Sequence, residues 1–127
     1  MQYKKLGNTG KKISAITLGS WGIGGAGWDQ VDKKESQAAI DRMLEYGVNA
    51  IDTAPIYGFV RPDEEDFGYG YAEKVIGEAI RDKREDIFLV TKCGLNYDRA
   101  QGPRSMYKSM AREEIIGGCE GSLKRLG

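Results

Sequence analysis

Apolar positions along this chain alternate between short unbroken runs and longer one-sided stripes. Met1 to Ala15 reads as two short β runs around the turn-rich Gly7-Asn8-Thr9-Gly10. Ile13 to Leu18 is a short apolar strand that ends in a glycine-rich stretch, Gly19 to Gly27. From Glu35 the spacing turns helical: Ala39, Ile40, Met43 and Leu44 share a face, and Gly47 stands where a C-cap is expected. Val48 to Ala54 is a second apolar strand, interrupted by the single charge of Asp52. A second helix covers about Tyr71 to Arg81, with Ala72, Val75, Ile76, Ala79 and Ile80 as its stripe. Ile87 to Val90 is a third strand, closed by Thr91 and Lys92. A third helix follows from about Ala111, carrying Ile115, Ile116, Cys119, Leu123 and Leu126 on one face. Ser109 is its expected N-cap, with Glu113 and Glu114 placed to complement the helix dipole.

Strand, helix, strand, helix, strand, helix after an opening hairpin describes an α/β protein. Continuous apolar strands separated by one-faced helices indicate a parallel sheet covered by helices. Three such units do not close a barrel, so an incomplete fold with open outer strands is expected, and open edges favour self-association.

Length and composition narrow the class further. The 127 residues fit one domain, and Lys plus Arg (19) balance Asp plus Glu (19). Without a basic excess, neither nucleic acid nor an anionic membrane surface is expected as a partner. Two cysteines, Cys93 and Cys119, are too few for a disulfide framework and suit a reducing cytoplasm. No basic-then-apolar leader opens the chain, and no apolar run reaches the roughly 18 residues of a membrane span. The chain contains no histidine.

Candidate chemistry gathers where charges break apolar strands. Asp52 ends the second strand, Lys92 ends the third, and Tyr57 lies just past the second. The C-terminal edge of a parallel sheet or barrel is where active sites form. A buried strand seldom carries an unpaired charge, so Asp52 and Lys92 are expected to meet. One reading is a purely structural ion pair. The other adds Tyr57 as a proton donor. A free phenol, with a pKa of about 10, is a poor acid at neutral pH. A nearby ammonium favours the phenolate, and a carboxylate holds the ammonium in place. Such a group suits carbonyl reduction, in which the oxygen needs a proton as hydride arrives at carbon. Trp21 and Trp28, in the glycine-rich stretch at the same edge, line a substrate pocket or serve as hydrophobic cover. Asp63, Glu64, Glu65 and Asp66 lie in a longer loop, Phe59 to Gly70, as a solvated run or a lid.

The stretch Gly22-Ile23-Gly24-Gly25-Ala26-Gly27 matches the dinucleotide fingerprint G-x-G-x-x-G. A Rossmann-type half-domain would require a helix beginning near Gly25. Trp28 to Lys33 lacks helical periodicity, and Asp52 lies about thirty residues on rather than roughly 20. A flexible glycine-rich loop is the better expectation.

At Ile51-Asp52-Thr53-Ala54-Pro55-Ile56-Tyr57-Gly58 the chain resembles the aldo-keto reductase family, whose D-T-A-x-x-Y-G segment carries a catalytic aspartate and tyrosine. Leu6-Gly7, Gly19-Ser20-Trp21-Gly22, Ala72-Glu73 with Ile76-Gly77, Val90-Thr91-Lys92 and Ser122 to Gly127 extend the resemblance across nearly the whole chain. It implies an NADPH-dependent reductase of aldehydes or ketones on a (β/α)8 TIM-barrel type fold. Residues 1–127 would then be the N-terminal part of one barrel domain: the bottom hairpin and the first three βα units. By the same carry-over Asp52, Tyr57 and Lys92 are catalytic, with Tyr57 the proton donor, Lys92 lowering its pKa and Asp52 holding Lys92. Ser20, Trp21 and Asp52 would touch the cofactor, and Trp21, Trp28 and Tyr57 the carbonyl substrate; no metal is implied. The family's histidine ends the fourth strand and its phosphate-binding loops lie near its C-terminus, so residues 1–127 alone are expected to be inactive. A non-catalytic barrel acting as a binding or regulatory subunit is the alternative.

Overall fold

A computed structural model describes residues 1–25, 31–61, 64–102 and 105–127. Its centre is a parallel sheet of three short strands, β3 (Leu18–Gly19), β4 (Ala50–Asp52) and β5 (Phe88–Val90), in the order β3-β4-β5. The register pairs Gly19 with Asp52 and Asp52 with Val90, so the three strands end level. An antiparallel hairpin, β1 (Tyr3–Lys5) and β2 (Lys12–Ser14), precedes the sheet. Asn49 fastens the hairpin to the start of β4. Its side chain accepts from the Ser14 amide (2.7 Å) and donates to the Lys12 carbonyl (3.0 Å).

The sequence places Ile13 to Leu18 in one strand, and the structure divides it. Ser14 closes the hairpin, its hydroxyl bonds the Ile16 carbonyl (2.7 Å), and Ile16 turns out to solvent before β3 begins. A local side-chain bond has replaced the ladder there. Helix α1 (Trp21–Gly24) stands where a flexible loop was expected. Helix α2 spans Lys33–Glu45, starting earlier than the apolar pattern suggests because Asp32 accepts from the Lys34 and Glu35 amides. Gly47 follows it at the expected place. Helix α3 (Tyr71–Ala79) presents the predicted stripe, with Ala72, Val75, Ile76 and Ile80 fully buried against Ile40, Ile51 and Ile87. A 3-10 segment, Arg81–Asp86, then leads into β5.

A second antiparallel hairpin, β6 (Leu95–Tyr97) and β7 (Met106–Lys108), was not foreseen in the apolar pattern. Helix α4 spans Arg112–Leu126. Its N-cap is Ala111, not Ser109, whose Oγ instead accepts from the Ala111 amide (3.3 Å) outside the helix. Glu113 and Glu114 occupy the first turn as expected. Of the predicted α4 stripe only Leu126 is buried, whereas Leu123 and Ile116 are exposed. With β5 at the sheet edge, Ile115, Cys119, Leu123 and Leu126 of that stripe line a groove of about 340 Å³ together with Leu89 and Cys93.

One buried ion pair ties the layers together. Glu73, with no solvent exposure, pairs with Arg125 of α4 (2.7 Å) and accepts from the Thr91 hydroxyl beyond β5 (2.6 Å). The helices cross so closely that a Cβ on Gly77 would lie 2.1 Å from the Arg125 carbonyl oxygen. Gly117, in the middle of α4, faces open space. Gly77→Ala is therefore expected to destabilise the fold by about 1–3 kcal/mol through overpacking. Gly117→Ala should instead stabilise it by up to about 1 kcal/mol, through helix propensity alone. Urea unfolding of both variants, with opposite signs of change, checks this crossing.

Candidate active site

Strand alternation sorts the residues at the C-terminal edge. Ile51 faces the helices, so Asp52 points to the opposite, open face of the sheet. The same period sends Thr91 toward Glu73 and Lys92 to the open face, beside Asp52. The expected meeting occurs: Lys92 Nζ lies 2.7 Å from Asp52 Oδ1 and also donates to the Thr53 carbonyl (2.8 Å). Tyr57 completes the group, its ring centroid 4.9 Å from Lys92 Nζ. Partial burial pulls the Lys92 pKa down, but hydrogen bonding to Asp52 and Tyr57 outweighs this, and the net shift is upward from 10.5. The pair is half-exposed, with side-chain exposures of 46% for Lys92 and 38% for Asp52, so its Coulomb energy is screened by water.

Tyr57 is placed by backbone rather than by its side chain. Its amide donates to the Ala54 carbonyl (3.0 Å), and its carbonyl accepts from the Ala72 amide (3.1 Å) in the first turn of α3. An orphan helix donor is thereby satisfied by the residue that carries the phenol. The following Gly58 touches α1, where a Cβ on Gly24 would lie 2.3 Å from the Gly58 nitrogen. That contact brings Trp21 over the site, its ring 5.2 Å from that of Tyr57. Trp21 is 56% exposed and offers an aromatic face to solvent. Arg61, which the sequence reading passed over, braces α1 from the other side. Its Nη1 donates to the Gly24 carbonyl (3.3 Å), and its guanidinium lies over the Tyr71 ring (4.2 Å).

Ser20 is fully buried behind this corner. Its amide donates to the Asp52 carbonyl (3.0 Å), and its Oγ has no partner among the described residues; the same holds for Thr53 Oγ1. Trp28 and Asp63 lie outside the described residues. Asp66 pairs with Arg99, whereas Glu65 lies 3.5 Å from Lys74 and stays largely exposed to water. Tyr69 is no rival donor. Burial pushes its phenol up to about 12, and its hydroxyl is tied to the Leu95 carbonyl and Asn96 Oδ1. Within the dinucleotide fingerprint, Gly25 ends α1 in a left-handed conformation, and Ala26 and Gly27 lie outside the described residues. Among the described residues no cluster could hold a metal ion, and no helix is long and apolar enough to cross a membrane.

Comparison with known proteins agrees with this arrangement. The family model described as aldo/keto reductase family matches residues 15–127. The chain is 37% identical over 128 residues to "Aldo-keto reductase YhdN" of Bacillus subtilis, covering 99% of the chain and 34% of that relative. It is 36% identical to a rice protein called "Probable voltage-gated potassium channel subunit beta", covering 99% of the chain and 34% of the relative. The holo form of an aldo-keto reductase from Bacillus halodurans superposes with a TM-score of 0.79 at 26% identity, covering 99% of this chain and 36% of that one. The chain thus spans about a third of the length of the proteins it matches.

Because the upward shift of Lys92 rests on its carboxylate partner, Asp52→Asn should lower the Lys92 titration midpoint. Carbon-13 NMR of methylated lysines reads this directly. A group whose pKa is raised on folding contributes stability below its unfolded value, here 10.5, and loses it as pH climbs through the raised value. The stability difference between wild type and Asp52→Asn should therefore stay below about 1 kcal/mol at neutral pH and vanish in strong alkali.

Proposed function

The chain belongs to the aldo/keto reductase family, and from that premise we propose that the full-length protein reduces aldehydes or ketones to alcohols with NADPH. The observation that carries this reading is the meeting of Lys92, Asp52 and Tyr57 on one sheet edge, with Lys92 2.7 Å from Asp52 and 4.9 Å from the Tyr57 ring centre. A structural ion pair alone needs no phenol beside it. In this reading residues 1–127 form the N-terminal part of a single barrel domain, and the open face of the three-stranded sheet belongs to the barrel interior.

NADPH, when bound, supplies the hydride. An exposed indole beside a phenol, flanked by a half-exposed carboxylate, fits a flat ring bearing a hydroxylated sugar. Trp21 would lie along the ring and Asp52 would accept from the sugar, with Ser20 behind them. Tyr57 then gives its hydroxyl proton to the carbonyl oxygen as negative charge develops there. The Lys92 ammonium stabilises the phenolate left behind, while Asp52 and the Thr53 carbonyl keep that ammonium in place. The carbonyl compound would be held between Trp21, Tyr57 and Trp28. Two free cysteines fit a cytoplasmic location.

A second reading, a non-catalytic binding or regulatory subunit, draws support from the rice relative's name. Tyr57→Phe in the full-length protein separates the two. The reductase reading expects kcat to fall by about 10²–10⁴-fold, the usual share of a general acid, with NADPH still bound. The subunit reading expects partner binding to persist unchanged and no turnover to lose. Residues 1–127 alone, with a sheet face open and no histidine, should bind NADPH weakly, turn over no carbonyl and tend to self-associate. A clear reductase rate from this segment would refute that expectation.

A further inference from the structure

We propose that Thr91 and Glu73 are positioning residues for Lys92, a buried carboxylate behind the sheet fixing the strand end from which the ammonium reaches Asp52 and Tyr57. The inference rests on the reductase reading of the site, but its geometry stands apart from any substrate.

The ladder between β4 and β5 ends at the Asp52–Val90 pair, with one further bond from the Thr53 amide to the Val90 carbonyl (2.8 Å). The two residues beyond it face opposite ways, and each is held by its side chain. Lys92 is anchored at its tip, by Asp52 and the Thr53 carbonyl. Its four-carbon stem is flexible, so the tip alone does not fix where the backbone lies. Thr91 supplies the second anchor, close to the backbone, through its 2.6 Å bond to Glu73 Oε1.

That anchor is stiff for three reasons. A hydroxyl donating to a carboxylate makes a short, charge-assisted bond. Glu73 is fully buried, so water cannot compete for its oxygens. Its other oxygen is held by Arg125 Nε at 2.7 Å, which prevents the carboxylate from turning away. Threonine suits the position, because a β-branched side chain has few χ1 rotamers and directs its hydroxyl. Without the hydroxyl, one carboxylate oxygen is left buried and unpaired, and Thr91 is free to move. Displacing a catalytic group by about 1 Å is enough to cost on the order of 100-fold in rate.

The test uses Thr91→Val, which keeps shape and removes the hydroxyl, and Thr91→Ser, which keeps the hydroxyl. Thr91→Cys, of similar size, replaces Val should that variant fail to fold. In the full-length protein, Thr91→Val is expected to lower kcat about 10- to 100-fold with KM nearly unchanged, and Thr91→Ser to restore most of the rate. Independently of turnover, the Lys92 NMR titration should move in Thr91→Val toward that of Asp52→Asn and return in Thr91→Ser. A merely structural role would lower the melting temperature and leave the titration and kcat of the folded protein untouched; that result overturns the proposal. If wild type shows no reductase activity but the titration moves as expected, the reductase reading fails and the positioning of Lys92 stands.

Discussion

The buried pair between Glu73 and Arg125 is the constraint on which the other elements converge. A carboxylate with no exposure is costly unless every lone pair finds a partner, and Glu73 finds them on two different elements. Those partners come from α4 and from the residue that follows β5, so satisfying one charge fixes a helix and a strand end together. The close crossing at Gly77 follows from this. Arg125 reaches Glu73 only if α4 approaches α3 almost backbone to backbone, which leaves no room for a side chain at that point. The apolar stripes supply most of the burial; the ion pair sets how the stripes are aligned.

On the open face of the sheet the electrostatic regime is different. Lys92 and Asp52 retain contact with water, and their pairing depends on geometry more than on a low dielectric. The backbone of Tyr57 is held by main-chain bonds on both sides of the residue, which sets its ring beside Lys92. Glu73 thus lies on a dry, buried side behind the strand end, and the Lys92–Asp52 pair on a wet, open side, with Thr91 between them exposed.

The meeting of residues on the open side was legible in the sequence because charges standing at the ends of apolar strands are conspicuous and their level endings bring them together. Asp52 and Lys92 were expected to meet on that ground, with Tyr57 just past the second strand, and the structure brings all three together. The dry side was not legible. Glu73 sits on the flank of a helical stripe, where a glutamate ordinarily points to water, and Arg125 lies 52 residues away. Only the fold shows that they meet. The strands proved shorter than their apolar runs, since Ser14 and Asn49 bond to each other and end the pairing early. The hairpin of β6 and β7 left one faint signal: short aromatic-bearing runs on either side of the turn-forming stretch from Asp98 to Gly102.

The stacked glycines above the site carry a consequence for how such a protein changes over time. Gly24 lies against Gly58, and Gly58 against Gly68, where an added Cβ would come within 2.2 Å of the Gly58 carbonyl oxygen. The Arg61 amide closes the neck of the intervening loop on the Phe67 carbonyl (2.9 Å). Gly58 and Gly68, and with them the neck from Arg61 to Phe67, are therefore clamped together beside Tyr57. Changes of length or residue between these clamps would leave the backbone at Tyr57 where it is. In the reductase reading, selectivity and chemistry are thereby uncoupled in inheritance: the rim can diversify in a lineage while the base of the site remains as it was.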